Sequence, residues 1–239
     1  MRHRQISPEY ENLKKLKERL FKIRLQISQD KKSKPWTNRD IEKALKSLKN
    51  NKAQDADGLV FELFKDAAGK DLKLSLTILC NKIKEELEIP AFMKKTNITS
   101  IWKQKGSKLD INNERGLFNV SKLRSLVDKL IYNDYYNVIE NNMTDSNSGA
   151  RKSRNIRDNL FIAYGIINFS ITNNISLDIV LFDVEFCFDS MWYEETMNDL
   201  WNCEVKDDKF AILAKMNEIV DIAIKTDAGE SERFELEKI

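Results

Sequence analysis

Leu181-Phe182-Asp183-Val184-Glu185-Phe186-Cys187-Phe188-Asp189-Ser190 is the stretch on which the fold turns. Just before and into it, Ser176-Leu177-Asp178-Ile179-Val180-Leu181-Phe182 is a short apolar run bounded by polar residues, the pattern of a buried strand. A strand there delivers Asp183 at its C-terminal end, where a carboxylate leaves the core and can meet solvent or a metal ion. An aromatic, Phe188, follows five residues on. The plain alternative makes Asp183 a turn residue and Asp189-Ser190 the cap of a helix near Tyr193.

Outward from this stretch the pattern is mainly helical. Residues 8–29 read as a helix, with Ser7 as cap, Pro8 in the first turn, and Leu13, Leu16, Leu20, Ile23 and Ile27 as its apolar stripe opposite a lysine and arginine face. After a polar linker, Thr37 caps a second helix carrying Ile41, Leu45 and Leu48, which runs to Asn50-Asn51. Helices follow over 59–67 and 71–88, divided by Gly69 and closed before Pro90. Thr96 to Lys103 reads as a strand, and Gln104 to Asn119 as a long polar loop. Helices over 120–141 and 155–172 flank the turn-rich segment 143–153. Beyond Ser190, two helices at 193–202 and 207–217 precede a hairpin of 220–225 with 233–237 about Ala228-Gly229. The expected class is α+β, mainly helical.

Composition narrows the possibilities. A chain of 239 residues can bury a sizeable core, and a third of it is charged. Leu160 to Ile167, the longest apolar stretch, is too short to cross a bilayer, so no membrane partner is expected. The N-terminus has no apolar core behind it, which argues against a secretory signal. Cys80, Cys187 and Cys203 form no C-x-x-C pair and the chain has one histidine, so no zinc is expected. An intracellular, reduced protein fits. Residues 1–35 carry roughly +7 and residues 183–239 roughly −10, a distribution that suits a polyanion-binding surface near carboxylates or, more plainly, solvated helix faces.

Several motifs, taken in order, resemble one family: the reverse transcriptases of non-LTR (LINE-like) retrotransposons. Asp183 through Ser190 looks like polymerase motif A. Upstream, Leu48-Lys49-Asn50-Asn51-Lys52-Ala53-Gln54-Asp55-Ala56-Asp57-Gly58 resembles the loop that precedes the fingers, with Gln54, Asp55 and Ala56 where many relatives carry Pro and Gly. Ile89-Pro90-Ala91-Phe92-Met93-Lys94 resembles the turn into the first fingers strand. Ile101-Trp102-Lys103-Gln104-Lys105-Gly106, followed by Asn113-Glu114-Arg115-Gly116-Leu117, resembles the fingers hairpin. Ser148-Gly149-Ala150-Arg151-Lys152-Ser153-Arg154-Asn155-Ile156-Arg157-Asp158-Asn159 resembles the segment that tracks the template. The likeness covers residues 12–239.

The resemblance implies a partial right-hand polymerase: a basic helical N-terminal extension over 1–35, a fingers-like region over 36–175 and a partial palm over 176–239. It implies an RNA-directed DNA polymerase acting with RNA template, DNA primer and dNTP. Asp183, with the Val184 backbone carbonyl, would bind Mg²⁺ or Mn²⁺, and Phe188 would lie near the incoming sugar. Arg115, with Lys103 or Lys105, would contact the triphosphate, and Arg151, Lys152, Arg154 and Arg157 the template. Bottom-up chemistry agrees in kind: two Mg²⁺ clamp an in-line phosphoryl transfer, and cations on a β-arm or a helix N-terminus suit phosphates.

The family continues into a Gln-Gly segment and a hairpin with two adjacent Asp residues, neither of which follows Ile239 here. Asp207-Asp208 stands at a polar helix start, outside any Tyr-x-Asp-Asp context. The expectation is therefore a truncated polymerase fragment, inactive alone. A non-catalytic RNA-binding module and a helical interaction protein are the alternatives.

Overall fold

The computed structural model describes residues 8–65, 69–108, 110–184, 191–226 and 229–237. They divide into two units, one drawn from Met1–Tyr135 with Tyr193–Ile239, the other from Tyr136–Trp192. The class is α+β and mainly helical, with eight helices and one small mixed sheet among the described residues.

In the first unit, α1 (Pro8–Asp30), α2 (Asn38–Ser47), α3 (Phe61–Lys65) and α4 (Lys70–Glu86) precede β1 (Lys95–Trp102) and β2 (Glu114–Val120). Then come α5 (Lys122–Asn142), whose sequence runs across the boundary, α7 (Tyr193–Asn202), α8 (Asp208–Met216), β3 (Ile219–Thr226), β4 (Gly229–Glu230) and β5 (Phe234–Glu237). Local chemistry explains several ends. Thr37 accepts from the Asp40 amide while the Asp40 carboxylate accepts from the Thr37 amide at 2.8 Å, a reciprocal cap that starts α2. Asp207 caps α8 by accepting from Lys209 N at 3.1 Å.

The core is contributed by α2, α4, α5 and α8, through Ile41, Leu45, Ile83, Leu126, Leu130 and Ile212. A second cluster surrounds Phe210, whose ring lies 5.3 Å from Trp201 and 6.2 Å from Phe21. The sheet runs β2-β1-β3-β4, with β5 also paired to β3. β1 and β2 are antiparallel, β1 and β3 parallel (Lys95 opposite Asp221), and β3 and β5 antiparallel. Arg233 joins these strands: its guanidinium donates to Asp221 Oδ2 at 2.9 Å, Asn97 Oδ1 at 3.0 Å and the Thr96 carbonyl at 3.2 Å.

The second unit holds the rest of α5 and α6 (Ile156–Thr172), started by Asn155 and Asp158 in the same reciprocal cap. No helix among the described residues is long and apolar enough to cross a membrane.

Three expectations need correction. Residues 114–120 are strand, not loop: β2 takes its whole ladder from β1, and a strand at a sheet edge needs no strict apolar alternation. The apolar run 176–182 is not a buried strand. It has no ladder partner among the described residues, and Leu181 and Phe182 are 90% and 92% exposed. Apolar pattern shows that a segment wants cover, but a strand also needs a neighbour to bond. Finally, α1 does not pack through its leucine stripe. Phe21, Leu25 and Ser28 face the unit, and Leu13, Leu16, Ile23 and Ile27 face solvent. Phe21 packs on the rings of Tyr193 and Phe210, and Arg24 lies over the Trp201 ring.

Candidate nucleotide and nucleic-acid site

The β1–β2 hairpin is built to hold cations. Its register runs from Thr96 opposite Val120 to Trp102 opposite Glu114. Past the ladder, Lys103 N donates to the Asn113 carbonyl at 2.8 Å and Lys103 Nζ to the Asn112 carbonyl at 2.9 Å. Asp110 steadies the far side of the loop by accepting from Asn112 N at 3.0 Å. Gly106 has φ +69°, and a Cβ there would stand 2.5 Å from Asn113 Nδ2, so the turn requires glycine. Lys105 sits exposed beside it, and the Lys108 ammonium lies 5.0 Å from the Trp102 ring centre.

Arg115 lies opposite Ile101. Side chains alternate along strands, so Arg115, Leu117 and Asn119 share a face with Asn97, Thr99 and Ile101. Carrying the register one pair further puts Lys103 on that face too. Arg115 and Lys105 enter no ion pair among the described residues and are exposed.

A polar cavity of about 640 Å³ is bounded by Asp55 of the upstream loop and by Asn97, Thr99, Asn119 and Lys225 of the sheet, with the carboxylates of Glu114 and Glu230 also on its wall. Asn97, Thr99 and Asn119 are in phase with Arg115. The loop is tied down by contacts to the hairpin and its surroundings. The Asn119 amide donates to the Gln54 carbonyl, and Asp57 pairs with Lys95 at 2.7 Å. Asp55 is buried and accepts from Lys122 N and Leu59 N, each at 2.8 Å, and from Asp57 N at 3.1 Å. The loop conformation that the departures at Gln54, Asp55 and Ala56 left open is thus set by Asp55 itself. Sequence reasoning passed over its role, although Asp55-Ala56-Asp57-Gly58 carries the composition of an Asx-type turn.

The second unit carries the other cations. Arg151 is only 7% exposed in its side chain; it pairs with Glu140 at 2.6 Å and donates to the carbonyls of Thr144 and Asn147 at 2.7 and 3.0 Å. Its charge is spent on shaping the 143–153 turn. Arg154 pairs with Asp145 at 3.4 Å, and the Lys152 ammonium lies 3.9 Å from the Tyr136 ring centre. Arg157, in the first turn of α6, is exposed and joins no ion pair among the described residues. Asp183 and Val184 are exposed in coil, and Phe188 and Cys187 lie outside the described residues.

Nowhere among the described residues do three His, Cys, Asp or Glu side chains gather in a metal-holding group. Asp183 offers one exposed carboxylate, and magnesium takes one or two from a protein beside phosphate and water oxygens. The four Trp residues divide. Trp36 is buried, donating its indole N–H to Asp134 at 2.9 Å beneath the Lys84 ammonium, while Trp201 packs on Phe210. The Cys80 thiol, pushed up to about 12 by burial, is inert.

Comparison with protein-family models and with curated proteins gives no match.

Proposed function

We propose that this chain belongs to the polymerase portion of a reverse-transcriptase-like protein and binds nucleic acid and nucleotide polyphosphate through its β1–β2 hairpin. What supports this is the hairpin itself: Arg115 is exposed on the face it shares with Asn97, Thr99 and Asn119 of the polar cavity, with Lys105 exposed at the tip. A guanidinium and ammonium groups on a rigid β-arm match phosphate oxygens in both charge and hydrogen-bond geometry. Asp183 serves as the carboxylate of motif A in this reading.

Fluorescence anisotropy with a labelled RNA–DNA primer–template provides the test. Binding should weaken steeply with salt. Replacing Lys105 and Arg115 by Ala should lower the slope of log affinity against log salt by about one for each phosphate contact removed. Affinity that ignores salt, or survives both substitutions unchanged, refutes the hairpin assignment. Arg151→Ala is a poor probe, because it would first disturb the turn that Arg151 organises. In primer extension with Mg²⁺ or Mn²⁺, template-directed addition that Asp183→Asn abolishes would support the motif A role of Asp183, and addition that survives it would refute that role.

A further inference from the structure

One face of the sheet is polar, and the loop before α3 is tied over it through Gln54 and Asp57. Across that face Thr99, Lys225 and Glu230 stand in one row, each opposite the next on β1, β3 and β4. Neighbouring strands lie about 4.8 Å apart, so the row spans about 10 Å, room for the edge of a purine. Asn97 stands two residues before Thr99 on the same face, and all four line the cavity of about 640 Å³. That volume suits a ligand of nucleoside size.

Three groups in this row and beside it are unspent. Arg233 donates to Asn97 Oδ1 at 3.0 Å, and a guanidinium cannot accept, so the amide oxygen is the atom turned toward it. Asn97 Nδ2 is left without a partner among the described residues, in a residue only 8% exposed. A donor so enclosed is matched by an acceptor or stays at a cost. Lys225 joins no ion pair among the described residues, although Glu230 is its ladder partner. Glu230 instead meets Arg233 at 3.4 Å through Oε1, and its Oε2 is open.

Two donors therefore stand beside a carboxylate, and this combination selects the occupant. Phosphate is a poor one, because Glu114 and Glu230 are on the wall. A cationic amine would meet Lys225. A nucleobase offers donors and acceptors along one edge, and guanine alone of the four sets two N–H groups, N1–H and the 2-amino, beside a carbonyl oxygen. A carboxylate accepts that pair side by side. Adenine and cytosine would turn a bare ring nitrogen to Glu230, and uracil a carbonyl oxygen.

We propose that this cavity binds guanine. Glu230 accepts from N1–H and the 2-amino group, while Lys225 and Asn97 Nδ2 donate to O6 and N7. The base site stands on these residues alone; it rests on the hairpin reading only for Arg115, further along the same face, as the place for an attached phosphate.

Isothermal calorimetry of the full chain with guanosine, inosine, adenosine, cytidine and uridine tests the proposal. Guanosine should bind; inosine, which lacks only the 2-amino group, should bind about tenfold more weakly, and the other three more weakly still. Glu230→Gln should bring guanosine and inosine to within about twofold of each other. Circular dichroism and melting should stay with the parent, since that exposed side chain makes one contact at 3.4 Å. Lys225→Met should weaken guanosine by about tenfold, again with the fold intact. Equal affinity for the five nucleosides, no binding of guanosine at about 1 mM, or a guanosine preference that survives Glu230→Gln would overturn the assignment. Guanosine carries no phosphate, so its failure leaves the primer–template result standing, and failure of primer–template binding leaves the guanosine result standing.

Discussion

Helices α8 and α6 are both apolar and meet opposite fates. In α8, Phe210, Ala211, Ile212, Ala214 and Met216 are all buried. In α6, Leu160, Phe161, Ile162, Tyr164, Ile166 and Phe169 are all more than half exposed, and Ser170 is the only residue buried among those described. The difference lies in neighbours: α8 is enclosed by α1, α4, α7 and β3 of its own unit, while the described residues of α6's unit form no comparable core. Apolar content along a helix states how much cover is wanted; the surrounding chain decides whether it is supplied.

The sharpest way to break that comparison is a matched pair. Phe210→Ala should cost about 3–5 kcal/mol, enough to threaten the whole first unit, whereas Phe161→Ala should stay within about 0.5 kcal/mol. Urea unfolding followed by tryptophan fluorescence checks both. An equal loss at Phe161 would show that α6 is covered in solution.

A smaller contrast concerns two side chains that each hold a turn. Asp55→Ala leaves the amides of Lys122, Leu59 and Asp57 without their acceptor and should cost about 2–3 kcal/mol in the same melt. Arg151→Ala should loosen the 143–153 turn, seen as faster amide exchange there, and leave the melting of the first unit where it was.

The smallest concerns the two reciprocal caps. Thr37→Ala should lower global stability by about 1 kcal/mol. Asn155→Ala removes an equivalent cap but should raise only end fraying of α6, read by amide exchange, since that helix is not tied to a large core. Hydrogen bonds from Thr37 hold the Asp40 carboxyl below its ordinary value of 3.8. A lowered carboxyl favours the folded state above the unfolded value, and the contribution disappears as pH falls through the lowered one. A stability–pH curve should therefore show the gap between Thr37→Ala and the parent narrowing at the acid end, leaving the part due to Thr37 Oγ1 accepting from the Asp40 amide.

Much of the fold was legible along the chain. Apolar stripes located α1 and α2, Thr37 marked the start of α2, and Gly69 and Pro90 bracketed α4, because those signals act within one turn. The closing hairpin of β3 with β5 was readable from Ile/Val-rich runs about a Gly turn. Of the candidate site, the hairpin was anticipated only through the resemblance, since the local pattern of 104–119 reads as loop. Asp55 was not, since its value comes from the Lys122 amide, far along the chain. Residues 176–182 misled for the converse reason: their pattern was apolar and strand-like, yet a ladder needs a second strand that no local pattern reveals.

By itself, then, the sequence determined where helices begin, which residues are apolar, and how cations and carboxylates are ordered. All of these are set by bonds and side-chain preferences within about four residues. Only the tertiary structure decided that β1 lies parallel to β3, that Asp55 is buried, that Arg151 is consumed by its own turn, and that α1 turns its leucine stripe outward. Each depends on which distant group occupies the neighbouring space, and packing and hydrogen-bond satisfaction are settled there by the whole chain at once.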